Sequence, residues 1–356
     1  MRKARHAQHP ANRHRSATPK RRHGHVAVTA LLLAIGASHS SGAETLRLSL
    51  PIACDMQSLC FVQNFVDRDP SGTALDYRCG HLTYHGHDGT DFAVPDLPAM
   101  QRGIAVLAAA AGTVRAVRDG MPDISIRDPN APPLAGRDCG NGVVIVHGDG
   151  WETQYCHLRR NSIRVKPGQA VAAGAELALV GMSGRAEFPH VHLALRHDGK
   201  PVDPFSGTPA AAACGRNPSP LWTEAAATAL QYRPGGIIDA GFATAPPTQA
   251  GAEAGQYAAE WLPVDASALI FWVREFGAQP GEIRTSTIFA PDGGKILDRS
   301  EPPGTKPQAR HFLYVGIKRG AKPWPAGHYR AAFRATVIDG GRERELYRIE
   351  RTIELR

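Results

Sequence analysis

No stretch of this 356-residue chain is apolar enough to cross a bilayer. A spanning helix needs about 20 such residues, and the apolar run Val26–Ala37 has 12. Cysteine is scarce, six in all, and no C-x-x-C pair occurs, which argues against a thiolate zinc knuckle. Residues 1–43 contain no acidic side chain while holding eight Lys/Arg. Long amphipathic helical periodicity is missing between Leu75 and Asp203, which leaves a β fold for that stretch.

The acid-free start has the order of a secretory signal: a basic, polar Met1–His25, the apolar run, then small residues at Ser41-Gly42-Ala43. Cleavage after Ala43 is expected, with an uncleaved anchor as the alternative. Removal takes the 41 Lys/Arg of the chain to 33, equal to its 33 Asp/Glu. A neutral mature chain offers no charge argument for a nucleic-acid partner. Cys54, Cys60, Cys79, Cys139, Cys156 and Cys214 form an even set, which in an exported protein favours disulfides. Six cysteines allow about 15 connectivities; we expect Cys54–Cys60 and Cys79–Cys139.

Between Leu75 and Asp203 the chain reads as short apolar runs closed by Gly, Pro, Asp or Asn, as in Val143–His147, Trp151–Leu158 and Val171–Val180. A Pro/Asp/Gly-rich excursion, residues 118–138, is longer than an ordinary hairpin loop. Residues 216–247 are rich in Ala, Gly and Pro and read as a linker, with a short helix around Thr223–Leu230. Beyond them, Tyr329, Ala331, Phe333, Ala335 and Val337 alternate with polar or small residues, as do Tyr347, Ile349, Ile353 and Leu355. That period of two across a "DGG" turn suggests a small immunoglobulin-like β-sandwich over 248–356, following a β domain over 44–215.

Eight of the ten histidines beyond the leader lie between His81 and His197. In "PHVHLAL" a strand puts Val191, Leu193 and Leu195 on one face and His190 and His192 on the other. Two imidazoles sharing a groove suit a metal or substrate site; a solvated polar face is the alternative. In "HDGTD", His87 and Asp91 point the same way in an extended chain, and Gly89 lets the backbone bend toward one ion. Imidazole and carboxylate are ordinary zinc ligands, although H-x-x-x-D alone is weak. In "WETQYCHL" the alternation puts Trp151, Thr153, Tyr155 and His157 on one face, where a lone histidine serves structure as readily as catalysis.

The order H-x-G-x-D, "GNGVVIVHGDGWETQYCHL", "VKPGQAVAAGAELALVGMSGR", "PHVHL" and "KPVDP", spanning about residues 80–205, closely resembles the lysostaphin-like (LytM, M23) zinc endopeptidases. The resemblance implies a mainly antiparallel β, barrel-sandwich hybrid-like peptidase domain. It implies one Zn²⁺ held by His87, Asp91 and His192, with His157 and His190 as catalytic histidines. Three protein ligands leave a fourth position for water, as catalytic zinc sites require. The implied substrate is bacterial peptidoglycan, at stem peptides or crosslinks, in the periplasm or outside the cell. "AEFPH" departs from the small Gly-containing turn that relatives often carry before H-x-H, so Glu187 and Phe188 reshape the groove wall. His85, His81, His147 and His197 are expected to stand outside the site. An inert activator of other wall hydrolases and a secreted protease acting on proteins are the alternatives. A biotinyl- or lipoyl-carrier domain is disfavoured, because "ALVGMSGRA" offers Met182 but no lysine.

Overall fold

The short, turn-bounded apolar runs become strands in the computed structural model, which describes residues 46–215 and 218–356. The expected signal segment lies outside the described residues. In chain order the amino-terminal half carries β1 (Phe61–Asn64), β2 (Thr90–Ala93), α1 (Leu97–Arg102), β3 (Ala105–Leu107), β4 (Gly112–Arg118), β5 (Asn141–Gly148), β6 (Trp151–Leu158), β7 (Ala170–Val171), β8 (Glu176–Leu179), β9 (His190–His197), β10 (Lys200–Asp203) and β11 (Thr208–Pro209). The carboxy-terminal half carries α2 (Glu224–Ala229), β12 (Gly236–Ala243), α3 (Gln249–Glu253), β13 (Trp261–Leu262), β14 (Ala268–Ala278), β15 (Ile283–Phe289), β16 (Lys295–Glu301), β17 (Gln308–Lys318), β18 (Gly327–Asp339) and β19 (Arg342–Leu355). The protein is mainly β. Among the described residues, no helix is long and apolar enough to cross a membrane.

The principal sheet runs β1-β2-β9-β6-β5-β4-β7, with β10 and β11 continuing from β9, and its pairs are antiparallel. Its apolar face packs on the small β3–β8 sheet: Val143, Ile145, Tyr155, Val191, Leu193 and Leu195 are fully buried with Val106 and Leu177. Each such aliphatic side chain contributes about 1.5–3 kcal/mol relative to exposure. That burial fixes the strand register, since a slip by one residue would turn the apolar set outward. The other face of β9 therefore has to carry His190, His192 and Arg196. The 118–138 excursion lies along the edge of this face. Asp123 accepts from the Met182 and Arg160 amides at 2.8 and 3.0 Å, and the Ile126 amide bonds Ala186 O at 2.9 Å.

In the carboxy-terminal half a three-stranded sheet (β12-β14-β17) and a five-stranded sheet (β13-β19-β18-β15-β16) share a core that includes Phe242, Phe271, Ile288, Phe333 and Ile353. Every residue of β14 is buried. Leu269, Phe271 and Val273 fill that core, while Phe276, on the other face, stacks on Phe61 of β1 at 4.5 Å. A strand covered on both faces reads as a continuous apolar run, as "ALIFWV" does.

Two expectations are corrected. The short helix expected around Thr223–Leu230 forms as α2, its amino end capped by Thr223, but the expected linker 216–247 also holds a core strand, β12, which pairs with β14 along Gly236–Ala243. Its glycine-rich composition suits a strand because Gly241 lies against the Trp272 indole, where a Cβ would meet the ring at 2.7 Å. Among the cysteines, Cys54–Cys60 forms, but Cys139 pairs with Cys156 and Cys79 with Cys214. Cys139 leads into β5, whose partner β6 holds Cys156, and the His157 amide bonds Cys139 O at 2.8 Å, so the hairpin brings that pair together.

Arg68, only 2% exposed, is held by Asp203 at 2.8 Å, Thr208 at 2.8 Å and Ala212 O at 2.9 Å, and also by Ser206. It ties the cysteine-bearing extension to the segment after β10. Arg68→Ala strands the buried Asp203 carboxylate and is expected to cost about 3–5 kcal/mol. Chemical denaturation should reveal this as an earlier midpoint; an unmoved midpoint would contradict it.

Candidate active site

Pairing of β2 with β9 sets Asp91 opposite His192 and Ala93 opposite His190, and β6 sets Cys156 opposite His192. Alternation then puts Asp91 and His192 on the same, uncovered face. Asp91 Oδ1 lies 2.9 Å from His192 Nδ1. His87 enters from the preceding turn, with Nε2 3.2 Å from Asp91 Oδ1 and 3.1 Å from His192 Nδ1. Gly89 permits this approach, since a Cβ there would meet His192 Nε2 at 2.5 Å and Leu193 O at 2.7 Å.

The far atom of each of these groups is engaged. His87 Nδ1 donates to Phe65 O at 2.7 Å, which leaves Nε2 as a lone pair. Asn64 Nδ2 donates to Asp91 Oδ2 at 2.9 Å. His192 Nε2 faces Asp88 Oδ1 at 3.3 Å, and Asp88 Oδ2 accepts from Arg196 at 2.9 Å. Outer partners of this kind orient metal ligands. Tetrahedral zinc, with bonds of about 2.0–2.2 Å, sets its ligand atoms roughly 3.3–3.6 Å apart, and the present spacings fall a few tenths of an ångström short of that. Two imidazole nitrogens and one carboxylate oxygen converge here within 2.9–3.2 Å of one another, a donor set that fits zinc. The side chains of His87 and Asp91 are 1% and 4% exposed and that of His192 is 11%, so the open side of the triad is beside His192.

Electrostatics favour positive charge at this point. Burial alone would pull His192 down, but hydrogen bonds to Asp88 and Asp91 push it up to about 9. Burial likewise opposes ionisation of Asp91, yet His87 and His190 nearby and its imidazole hydrogen bonds hold it well below the usual carboxylate range. The hydrogen bond to His192, with Arg196 close by, lowers Asp88 to about 2.

His157 and His190 stand beside this triad, their rings 4.6 Å apart. His157 Nδ1 donates to Ser183 O and His190 Nδ1 to Phe188 O, each at 2.8 Å, so both keep Nε2 free of a proton. His190 Nε2 is 3.6 Å from Asp91 Oδ1. Burial lowers both imidazoles, His157 well below its ordinary value, and they are neutral at pH 7. Simple alternation grouped His157 with Tyr155, and the structure corrects this. Tyr155 is in the core, its hydroxyl accepting from the Ala109 amide at 2.7 Å, whereas His157 has a left-handed backbone with φ 61° and turns to the other face. Such a conformation in a non-glycine residue is a recurrent feature of functional sites.

Residues 85–204 match the family model of Peptidase family M23. They form an M23 peptidase domain. Over 118 residues the chain is 37% identical to peptidoglycan DD-endopeptidase ShyA of Vibrio cholerae, covering 33% of this chain and 22% of that protein. It is 33% identical over 125 residues to DD-carboxypeptidase/endopeptidase Mpg of Neisseria meningitidis, covering 35% of this chain and 23% of that one. The crystal structure of a zinc containing peptidase from Vibrio cholerae is 29% identical, covers 39% of this chain and 38% of its own, and has a TM-score of 0.26, too low to bear on the fold. The chain thus spans less than a quarter of the length of these two curated relatives.

Within the M23 domain the histidines outside the site have other roles. His85 is exposed, with Nδ1 3.9 Å from Asp67. His147 is half-buried and bonded at both nitrogens, to Ala111 O at 2.8 Å and Thr153 Oγ1 at 2.7 Å. His197 stacks on Trp151 at 4.3 Å. A cleft of about 280 Å³, lined among others by Tyr84, Asp88, His157 and Arg196, reaches the triad at His192. Arg196 and Gln154 also line a larger groove of about 640 Å³ that continues along the sheet toward Trp151 and Arg115.

The sequence singled out neither Asp88, Arg196, Asn64 nor Ser183 for the site. Asp88 lies inside "HDGTD" and Arg196 four residues beyond His192 on the same strand face, so both carried a local signal. Asn64 and Ser183 depend on distant pairing and carried none. Loss of the Asp88 carboxylate frees the His192 ring, so Asp88→Ala should weaken zinc affinity by about tenfold. Competition with a chromophoric chelator measures this; unaltered affinity would remove Asp88 from the metal's support.

Proposed function

We propose that this protein is an exported, zinc-dependent endopeptidase that hydrolyses peptide bonds in bacterial peptidoglycan. The observation that carries the proposal is the convergence of His87 Nε2, Asp91 Oδ1 and His192 Nδ1 within 2.9–3.2 Å of one another, beside two further buried imidazoles. Similarity to proteins named peptidoglycan DD-endopeptidases supports the substrate. The secretory order of residues 1–43 and three disulfides support export.

His87, Asp91 and His192 would hold the metal. Bound there, zinc supplies a water acidified toward a pKa of about 7 and a Lewis acid for the scissile carbonyl. The chain's own part is positional and proton-handling. His190, fixed through Nδ1 on Phe188 O, and His157, fixed through Nδ1 on Ser183 O, each offer an unprotonated Nε2. One such imidazole takes up the proton of the attacking water at Nε2, donates that N–H to the oxyanion as it forms, and delivers the proton to the departing amine as the peptide C–N bond breaks. Burial suits both histidines to this work, because they begin neutral. The groove continuing past Gln154 and Arg196 gives an extended peptide a path across the sheet. The presence of all five histidine and aspartate groups in one site speaks against an inert activator.

His87→Ala, Asp91→Ala and His192→Ala are expected to lose both bound metal and hydrolysis. His157→Ala and His190→Ala should retain the metal and lose turnover by about 10²-fold or more. Metal content by atomic spectroscopy, together with mass analysis of muropeptides released from purified walls, tests the set. Peptide release by fully chelated protein would sink the zinc mechanism. A zinc-loaded protein that leaves the wall intact would favour the activator.

A further inference from the structure

The carboxy-terminal half holds no catalytic cluster, yet it reaches the site at two points through one strand. On β17, Arg310 is buried, its side chain 8% exposed, and its guanidinium carbon lies 3.7 Å from the centre of the Phe188 ring. Phe188 stands two residues before His190 in "AEFPH". Its carbonyl accepts the Nδ1 proton of His190 at 2.8 Å, and its ring lies 4.7 Å from the imidazole. The guanidinium is itself aimed, with Nε bonded to Gln63 Oε1 at 3.1 Å and Nη1 to Glu253 at 3.4 Å. Among the described residues Nη2 meets no hydrogen-bond acceptor, which fits a cation lying on an aromatic face. Gln63, fully buried, also donates to Ala309 O at 2.7 Å, and its neighbour Asn64 orients Asp91.

We infer that Arg310 is a positioning residue for the reaction: from the β-sandwich it clamps the Phe188 ring, and the Phe188 carbonyl in turn fixes the tautomer and orientation of His190. The inference rests on the peptidase function proposed above. A flexible aromatic turn without a partner would let that carbonyl swing. The cation on its ring removes the freedom, so the carboxy-terminal half is a wall of the active site and not a tethered accessory. Misplacement of a reacting group by about 1 Å can cost 10²-fold in rate, which sets the scale at stake.

The test compares Arg310→Ala, Arg310→Lys, Phe188→Leu and the Arg310→Ala/Phe188→Leu double variant in the zinc-loaded full chain, with a soluble crosslinked muropeptide as substrate. Arg310→Ala should lower kcat by about tenfold with KM held within about a factor of two. Arg310→Lys should recover part of the loss, since an ammonium also binds a ring face. The double variant should be no slower than the slower single one, as expected for two groups acting through one contact. Zinc content and thermal midpoint report whether each variant is folded and loaded. A second readout needs no turnover: nitrogen-15 spectra of the histidine side chains should show His190 as one Nδ1–H tautomer in the wild type and as a mixture in Arg310→Ala. Unchanged kcat with an unchanged tautomer, or additive losses in the double variant, overturns the inference. An inert wild-type protein whose His190 tautomer still responds to Arg310→Ala sinks the proposed activity and leaves the clamp standing.

Discussion

Asp91 and His192 face one another across the β2–β9 ladder, and the rest of the site is arranged around that pair. The pairing is not held by the polar groups themselves. It is held by Phe92, Val191, Leu193 and Leu195 on the opposite face, each fully buried, because any slip by one residue would turn them out of the apolar core and the histidines into it. Burial on one side of a strand thus delivers chemistry on the other at no separate energetic cost. His87 joins the pair from the adjoining turn because Gly89 leaves room for the His192 ring.

A site assembled in this way draws positive charge to itself. Asp88 and Asp91 both bear on His192, and both stay ionised. Removing charge from water is costly unless it is compensated, and here His192 and Arg196 compensate the two carboxylates. The neighbouring imidazoles, His157 and His190, are kept neutral by burial. Two environments a few ångströms apart therefore push one imidazole up and two down, the division that the proposed mechanism calls for. Groups pushed in different directions by their surroundings are the usual sign of separated roles.

Much of this was legible in the sequence, for local reasons. "HDGTD" and "PHVHL" place their polar groups by turn geometry and by the period of two, and neither needs a distant partner to be read. His157 was legible as a candidate but not in its direction, because a left-handed backbone in a histidine has no compositional signal. The supports were less visible. Asn64 acts on Asp91 from 27 residues away, and Ser183 binds His157 from 26 residues away. Both contacts exist only after the sheet has closed. The Cys79–Cys214 bridge spans 135 residues, and spacing could not select it. β12 was hidden for another reason: Gly, Ile and Ala in "GGIIDAGFA" suit a loop as well as a strand, and only the apolar β14 beside it decides.

The disulfides connect this architecture to its compartment. In the chain-entropy account, a bridge closing a loop of about 100 residues is worth roughly 4–5 kcal/mol, and Cys79–Cys214 closes a longer one around the whole M23 domain. Cys139–Cys156 acts nearer the chemistry. It ties Cys156, the residue before His157, to Cys139, whose carbonyl already accepts from the His157 amide. A residue in a costly backbone conformation persists only where its surroundings over-determine it. Here the bridge, that amide bond and the Ser183 carbonyl supply three independent restraints on one imidazole. Reducing conditions would remove the covalent one and leave the strained residue held by hydrogen bonds alone. Oxidised cysteines so close to the strained histidine suit an oxidising compartment, in keeping with the export proposed above.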